Sequence, residues 1–358
     1  MKIAIRTPDR AAGFILGKFR PRAVSLLAGA AVVTATIATA GCSALGGTSA
    51  SGAESVALAG STTNGAAQIA NGKAAGFQVI TLNDRRDVTF NQLLGINNEG
   101  VIAGYFGSGN AGHPNKGYVL RPPWAQGDFS GENFPGASQT QVTGLNDEGI
   151  SVGFFSTQNG ATPADDNNFG FWRVNGRYHE VSFPTWNNSN PPVNQLLGVN
   201  NSGTAVGFYN DAKGNAHGYA YNLENGRFKL VTVRGATSLT AAAVNDEGTV
   251  AGFYTNAQGT VDAFLRNHRN RVTTLAVPGA SATQAFGINN NNEVVGTYTT
   301  GTGDSAVTHG FTWWNGKYTT VNFPGASSTA LNGVNDEGDV VGFYTDHAGN
   351  TDGLVGLP

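Results

Sequence analysis

Apolar and polar positions alternate along this chain in short runs, broken by Gly, Asn and Pro, and no stretch carries a helical period. Alternation of that kind predicts strands joined by tight turns. The clearest case is Leu331–Tyr344, where apolar residues lead into Asn335-Asp336-Glu337-Gly338 and a Val-rich run leaves it, the pattern of a hairpin. The same stretch recurs on Asn97, Asn146, Asn200, Asn245 and Asn289, with Asn335 as the last anchor, at intervals of 49, 54, 45, 44 and 46 residues. A fixed period in that range marks a repeat architecture.

Three positions after the anchor stand Gly100, Gly149, Gly203, Gly248, Asn292 and Gly338. Asn is the residue besides Gly that best accepts a left-handed backbone, so the exception predicts a positive φ that closes the turn. The anchor Asn is expected to cap that turn with its side chain. Seven positions after it Gly104, Gly153, Gly207, Gly252, Gly296 and Gly342 interrupt a strand, which predicts the close approach of another backbone or a ring. Two further on an aromatic shares the same face: Phe106, Phe155, Tyr209, Tyr254, Tyr298 and Tyr344. A third strand follows in each repeat. Asn175-Gly176, Asn225-Gly226 and Asn315-Gly316 then turn into a fourth, which ends at segments such as Phe134-Pro135-Gly136-Ala137.

Four short antiparallel strands per repeat predict an all-β fold, a six-bladed β-propeller of four-stranded blades. The sixth repeat lacks a fourth strand, and one unassigned strand, residues 77–82, precedes the first anchor. Pairing that N-terminal strand into the last blade would close the ring and remove an exposed edge. An open solenoid would instead need capping residues at both ends.

Composition then divides the chain into residues 1–41, 42–75 and 76–358. The first segment carries Arg6, Arg10, Lys18, Arg20 and Arg22 ahead of an uncharged apolar run, a secretory signal. It ends in Thr39-Ala40-Gly41-Cys42, which resembles the lipobox of bacterial lipoproteins with Thr39 where Leu is usual; Cys42 is the one cysteine in the chain. Residues 42–75 are rich in Ser, Gly and Ala and read as a tether. Lipidation of Cys42 would make a lipid bilayer the first partner and the cell envelope or exterior the location. Residues 1–41 hold six of the 21 basic residues and one of the 24 acidic ones, leaving 15 against 23 and a net charge of −8. That balance argues against nucleic acid. A monomer is expected.

The sequence contains no His-Glu-x-x-His, P-loop, Gly-x-Ser-x-Gly or paired-cysteine motif, so no catalytic residue, metal or cofactor is assigned. The acidic turns lack the ligand spacing of a calcium loop. His217 and His309 hold equivalent repeat positions, which favours a structural or surface role. Gln92, Gln141, Gln195 and Gln284 stand five residues before their anchors and would form a partial ring of amides at one mouth of a central channel. Such amides suit sugar hydroxyls or peptide groups; equally, they would bond neighbouring loops. The longer connections fall on the face opposite the Asn-Asp-Glu-Gly turns, and Trp186 is a ligand-stacking candidate there.

Gly287-Ile288-Asn289, Gly296, Tyr298, His309-Gly310-Phe311 and Asp262-Ala263-Phe264 together resemble the bacterial extracellular repeat family named for its His-Ala-Phe tripeptide, with Gly at the Ala position in most repeats. The resemblance runs over residues 77–357. It implies an exported β-propeller-like protein and no defined activity. The function expected is a lipid-anchored binding module for a glycan or envelope protein. A hydrolase or lyase assembled from several blades, and a structural envelope protein, are the alternatives.

Overall fold

The computed structural model describes residues 71–110, 112–158, 167–184 and 193–358. Cys42, the proposed signal, most of the proposed tether and Trp186 lie outside the described residues. Among the described residues the regular elements are strands, apart from two short 3-10 turns at Gln126–Asp128 and Gly303–Ser305.

Repeat one forms a four-stranded antiparallel sheet in chain order: Asn91–Ile96, Ile102–Phe106, Lys116–Leu120 and Phe129–Gly131. Repeats two and three build equivalent sheets, beginning at Gln139–Leu145 and Asn194–Val199. Repeats four and five share one sheet through a single parallel pair, Val261 with Ala282. The same kind of bridge joins Asn168 to Val193 and Phe90 to Thr351 between other repeats. Repeat six supplies Ser328–Val334, Val340–Thr345 and Thr351–Leu357. Its fourth place is taken by Phe77–Thr81, antiparallel, with Gln78 opposite Leu357 and Thr81 opposite Leu354. A further strand, Asn71–Ala74, pairs outside it, so the sheet extends into the segment assigned to the tether.

Side chains reinforce this last pairing. Asn83 donates to Asp352 Oδ1 at 2.6 Å and accepts the Gly353 amide at 2.9 Å. Thr81 and Tyr344 share a hydroxyl–hydroxyl bond of 2.9 Å.

Every first strand contains a bulge, three residues before its anchor, as between Leu93 and Gly95 or Val142 and Gly144. The bulge explains the invariant strand glycine. A Cβ on Gly153 would lie 2.0 Å from the carbonyl oxygen of Gln141, and on Gly342 1.9 Å from that of Ala330. At Gly153 the Phe171 ring also stands 3.0 Å away, so both the backbone and the ring expected from the sequence are present. The turn residue behaves as expected too: Gly149 has φ 72°, and Asn292, its substitute, φ 60°.

Between repeats, the aromatic that follows the strand glycine receives the ring at the end of the preceding repeat. Phe134 stacks on Phe155 at 3.7 Å, Phe183 on Tyr209 at 4.3 Å, and Phe323 on Tyr344 at 3.7 Å. Beneath them Ala103, Val142 and Phe171 pack repeat one against repeat two. Burying a side chain of Val or Phe size is worth about 1.5–3 kcal/mol, so these inter-repeat layers carry the core.

Candidate functional site

The first-strand turns gather around one axis, and their asparagines bind each other in sequence. In Asn146 the side-chain oxygen accepts the Ile150 amide at 2.9 Å, capping its own turn, while Nδ2 donates to the Asn200 carbonyl at 3.0 Å. Asn97, Asn200, Asn245 and Asn289 donate in the same way to the next anchor at 2.9–3.1 Å. Asn335 returns to the Asn97 carbonyl at 3.5 Å.

A second circuit lies directly outside the first. The residues after the anchors alternate in chemistry: Asn98, Asp147, Asn201, Asp246, Asn290, Asp336. Each asparagine donates both amide hydrogens, one to each neighbouring carboxylate, over 2.8–3.1 Å. Each side-chain Oδ1 in turn accepts the backbone amide of a neighbour at 2.8–2.9 Å. The two circuits line a polar cavity of about 80 Å³ that contains no Lys or Arg. Asn98, Asn201 and Asn290 have no amide hydrogen left, so what these six side chains still offer is acceptor capacity, with three carboxylates among it.

The glutamines singled out from the sequence line neither this cavity nor a second one of about 70 Å³ formed further along the first strands by residues such as Leu94, Leu197 and Phe286. Gln92 is buried and accepts from the Tyr105 hydroxyl at 2.8 Å. Gln141 donates to Asn115 Oδ1, and Gln195 to Asn168 Oδ1, both at 2.9 Å, linking successive repeats. Gln284 is half-buried in Ala282–Ile288. The physical reason is their place ahead of the bulge, where side chains still lie within the layers between sheets. The linking role left open in the sequence is therefore what the hydrogen bonds display for Gln141 and Gln195.

His217 binds Asp211 at 3.0 Å and stacks on Tyr209; His309 stacks on Tyr298 and contacts Thr300 and Asn322. Burial opposes ionisation of Asp211, but hydrogen bonds from His217, Asn215 and two backbone amides hold its carboxyl well below the usual range. Both histidines thus anchor local turns and ring stacks. Among the described residues no group of His, Cys, Asp and Glu is arranged to hold a metal ion. None of their helices is long and apolar enough to cross a membrane.

The alternating residues were missed in the sequence, although the signal was there: six aligned repeats show Asn and Asp in strict turn.

No family model and no curated protein matches the sequence. Among solved structures, the chain is similar to AofleA from Arthrobotrys oligospora, with 10% identity over 78% of this chain and 85% of that one at TM-score 0.49. It is similar to an Aleuria aurantia lectin mutant in complex with Fucα1-6GlcNAc, with 10% identity over 75% and 91% at TM-score 0.45. A third is the ulvan lyase of a polysaccharide lyase family, with 12% identity over 75% and 78% at TM-score 0.42. At these depths no ligand or activity passes from them to this chain.

Proposed function

We propose that this chain is an exported binding module: a six-bladed β-propeller of the His-Ala-Phe repeat family, closed by residues 77–82 and held to a membrane through Cys42. Its ligand is a glycan rich in hydrogen-bond donors, neutral or cationic, bound at the mouth formed by the two asparagine circuits. The observation that carries the reading is the exhausted amide hydrogens of Asn98, Asn201 and Asn290 beside the carboxylates of Asp147, Asp246 and Asp336. A rim of acceptors satisfies hydroxyl and ammonium donors and repels uronates and sulfates. Polar groups converging in a concavity are the default binding site.

Topology supports the orientation. Asn71 pairs with Ile80, next to the residues that lead into repeat one, so the chain enters its sheet on the side away from the asparagine turns. A tether from there would leave the mouth facing outward. Closure is supported by the pairing of Phe77–Thr81 with Thr351–Leu357 and by the return of Asn335 to Asn97.

An array of neutral, amino, uronate and sulfated glycans, with peptides alongside, tests the ligand class. The reading expects neutral or amino glycans to be retained and acidic ones to be excluded. Retention of peptides alone, or of the acidic set, would overturn it, and turnover of a bound glycan would make the protein an enzyme. Cys42→Ser should release the protein from the membrane fraction; unchanged fractionation would remove the anchor.

A further inference from the structure

One row of residues crosses each repeat at the level of its anchor. In repeat five Ile288, Val294 and Trp313 are neighbours across three strands, so the residues one step nearer the mouth, Asn289, Glu293 and Trp314, form that row. The Asn289 amide confirms the step by donating to the Glu293 carbonyl at 3.1 Å. Where the fold needs a residue, the six repeats agree, as at the strand glycine; along this row they differ. Repeats one to four set uncharged residues at the Glu293 position, Val101, Ile150, Thr204 and Thr249. None of the other five repeats carries an aromatic at the Trp314 position. A carboxylate beside an aromatic therefore belongs to repeat five alone, and the scaffold does not dictate it.

Residues paired across strands share a face of the sheet. Ile288, Val294 and Trp313 pack with Ala251 and Leu265 of repeat four, so the row of Asn289, Glu293 and Trp314 faces repeat six. Two contacts agree. Asn289 Nδ2 donates to the Asn335 carbonyl at 2.9 Å, and Glu293 Oε2 stands 4.0 Å from where a Cβ on Gly338 would lie. Glu293 is half-buried, whereas Trp314 is 56% exposed, the one aromatic among the described residues left mainly in solvent. A single exposed apolar residue needs no explanation by itself. This one stands in line with the mouth, two strand spacings or about 10 Å from the Asn289 that lines it.

We propose that Trp314 is an outlying subsite of the mouth. A glycan whose end unit lies among the asparagine circuits runs outward over repeat five, passes the Glu293 carboxylate and stacks a later pyranose ring on the indole. The inference rests on the glycan reading of the mouth and adds a direction and a minimum length to it. A pyranose ring offers a face of C–H groups to the aromatic plane and keeps its hydroxyls at the edge, the kind of contact an amphipathic Trp makes. Glu293 accepts from a hydroxyl or amino group on the unit between. A span of about 10 Å exceeds one ring, so a monosaccharide in the mouth leaves Trp314 untouched.

The test titrates the intact protein with glucosamine and, separately, with its tetramer. NMR signals of the Asn98, Asn201 and Asn290 side-chain amides report the mouth, and the Trp314 indole reports the subsite. The monosaccharide should shift the amides alone, and the tetramer both. Trp314→Ala should weaken the tetramer about tenfold, the value of one well-placed aromatic contact, and leave the monosaccharide unchanged. Trp314→Tyr, which keeps a ring, should recover most of that loss. A tetramer that moves the amides but not the indole, or that Trp314→Ala does not weaken, would overturn the subsite and leave the mouth reading standing. An indole that responds while the amides do not, or silence from both, would sink the mouth reading and the subsite with it.

Discussion

Asp336 and Asn98, 238 residues apart, hold each other twice: the Asp336 amide donates to Asn98 Oδ1 at 2.9 Å, and Asn98 Nδ2 donates to Asp336 Oδ2 at 3.0 Å. The same exchange joins Asp147 with Asn201 and Asp246 with Asn290, while in the three remaining pairs the asparagine donates both its backbone and its side-chain amide to one carboxylate. In this outer circuit the contact between the first and last repeats is therefore of the same kind as two of those between repeats adjacent in sequence, while the inner bond from Asn335 to Asn97 is longer than its counterparts at 3.5 Å. A seam that no covalent link supports is fastened like the rest.

Because each anchor serves its own turn and its neighbour, losing one should cost more than an ordinary surface cap. Asn146→Ala strips the part-buried Ile150 amide of its partner and leaves the buried Asn200 carbonyl with the Gly203 amide alone. The expected loss is about 1–3 kcal/mol, from one stranded group and one weakened acceptor. Urea denaturation measures it, and a loss below about 0.5 kcal/mol, typical of surface positions, would show that the circuit is incidental.

Two glycines separate crowding from backbone strain. Gly153→Ala sets a methyl 2.0 Å from the Gln141 carbonyl and should destabilise by about 3 kcal/mol or more, since the bulge itself has to move. Gly176→Ala meets nothing within 4 Å and costs about 1–2 kcal/mol for its φ of 78°. Equal losses in thermal or chemical denaturation would contradict the bulge account.

Deleting residues 77–82 removes the buried side chains of Phe77, Val79 and Leu82, each worth about 1.5–3 kcal/mol, and exposes the edge of Thr351–Leu357. The denaturation midpoint should fall sharply and as one transition. A midpoint equal to that of the full chain would mean that this strand closes nothing.

The seam also carries a pH response. Burial raises the Asp352 carboxyl above its ordinary value, against the opposing hydrogen bond from Asn83. The folded protein therefore keeps this proton to higher pH than the unfolded chain does. Its contribution to stability is present below the ordinary carboxylate range and is lost as pH rises through the raised value. Asp352→Asn should remove that component, so its stability relative to the parent should grow from pH 4 to pH 7. A difference that shrinks over that range would reverse the sign assigned here.

Much of the fold was readable because its causes are local. Asn292 standing in for Gly announces the turn conformation, and Asn175-Gly176 announces a hairpin. Strand glycines were recognised as points of close approach, but the approaching group, the Gln141 carbonyl at Gly153, depends on a bulge that alternation alone does not reveal. The same bulge moves the glutamines away from the axis and puts Asn332 beside it. The mouth was overlooked for a different reason. Asp147, Asp246 and Asp336 read individually as turn residues; only a ring that sets Asn98 beside Asp336 turns their alternation with asparagine into a site.

The central claim is that the mouth recognises donors and rejects anions. Calorimetric titration of the intact chain with a glucosamine oligomer and with a galacturonate oligomer of equal length tests it most directly. The account predicts that the amino sugar binds, more weakly as salt screens the three carboxylates, and that the uronate gives no heat. Binding of the uronate at equal or higher affinity would contradict it.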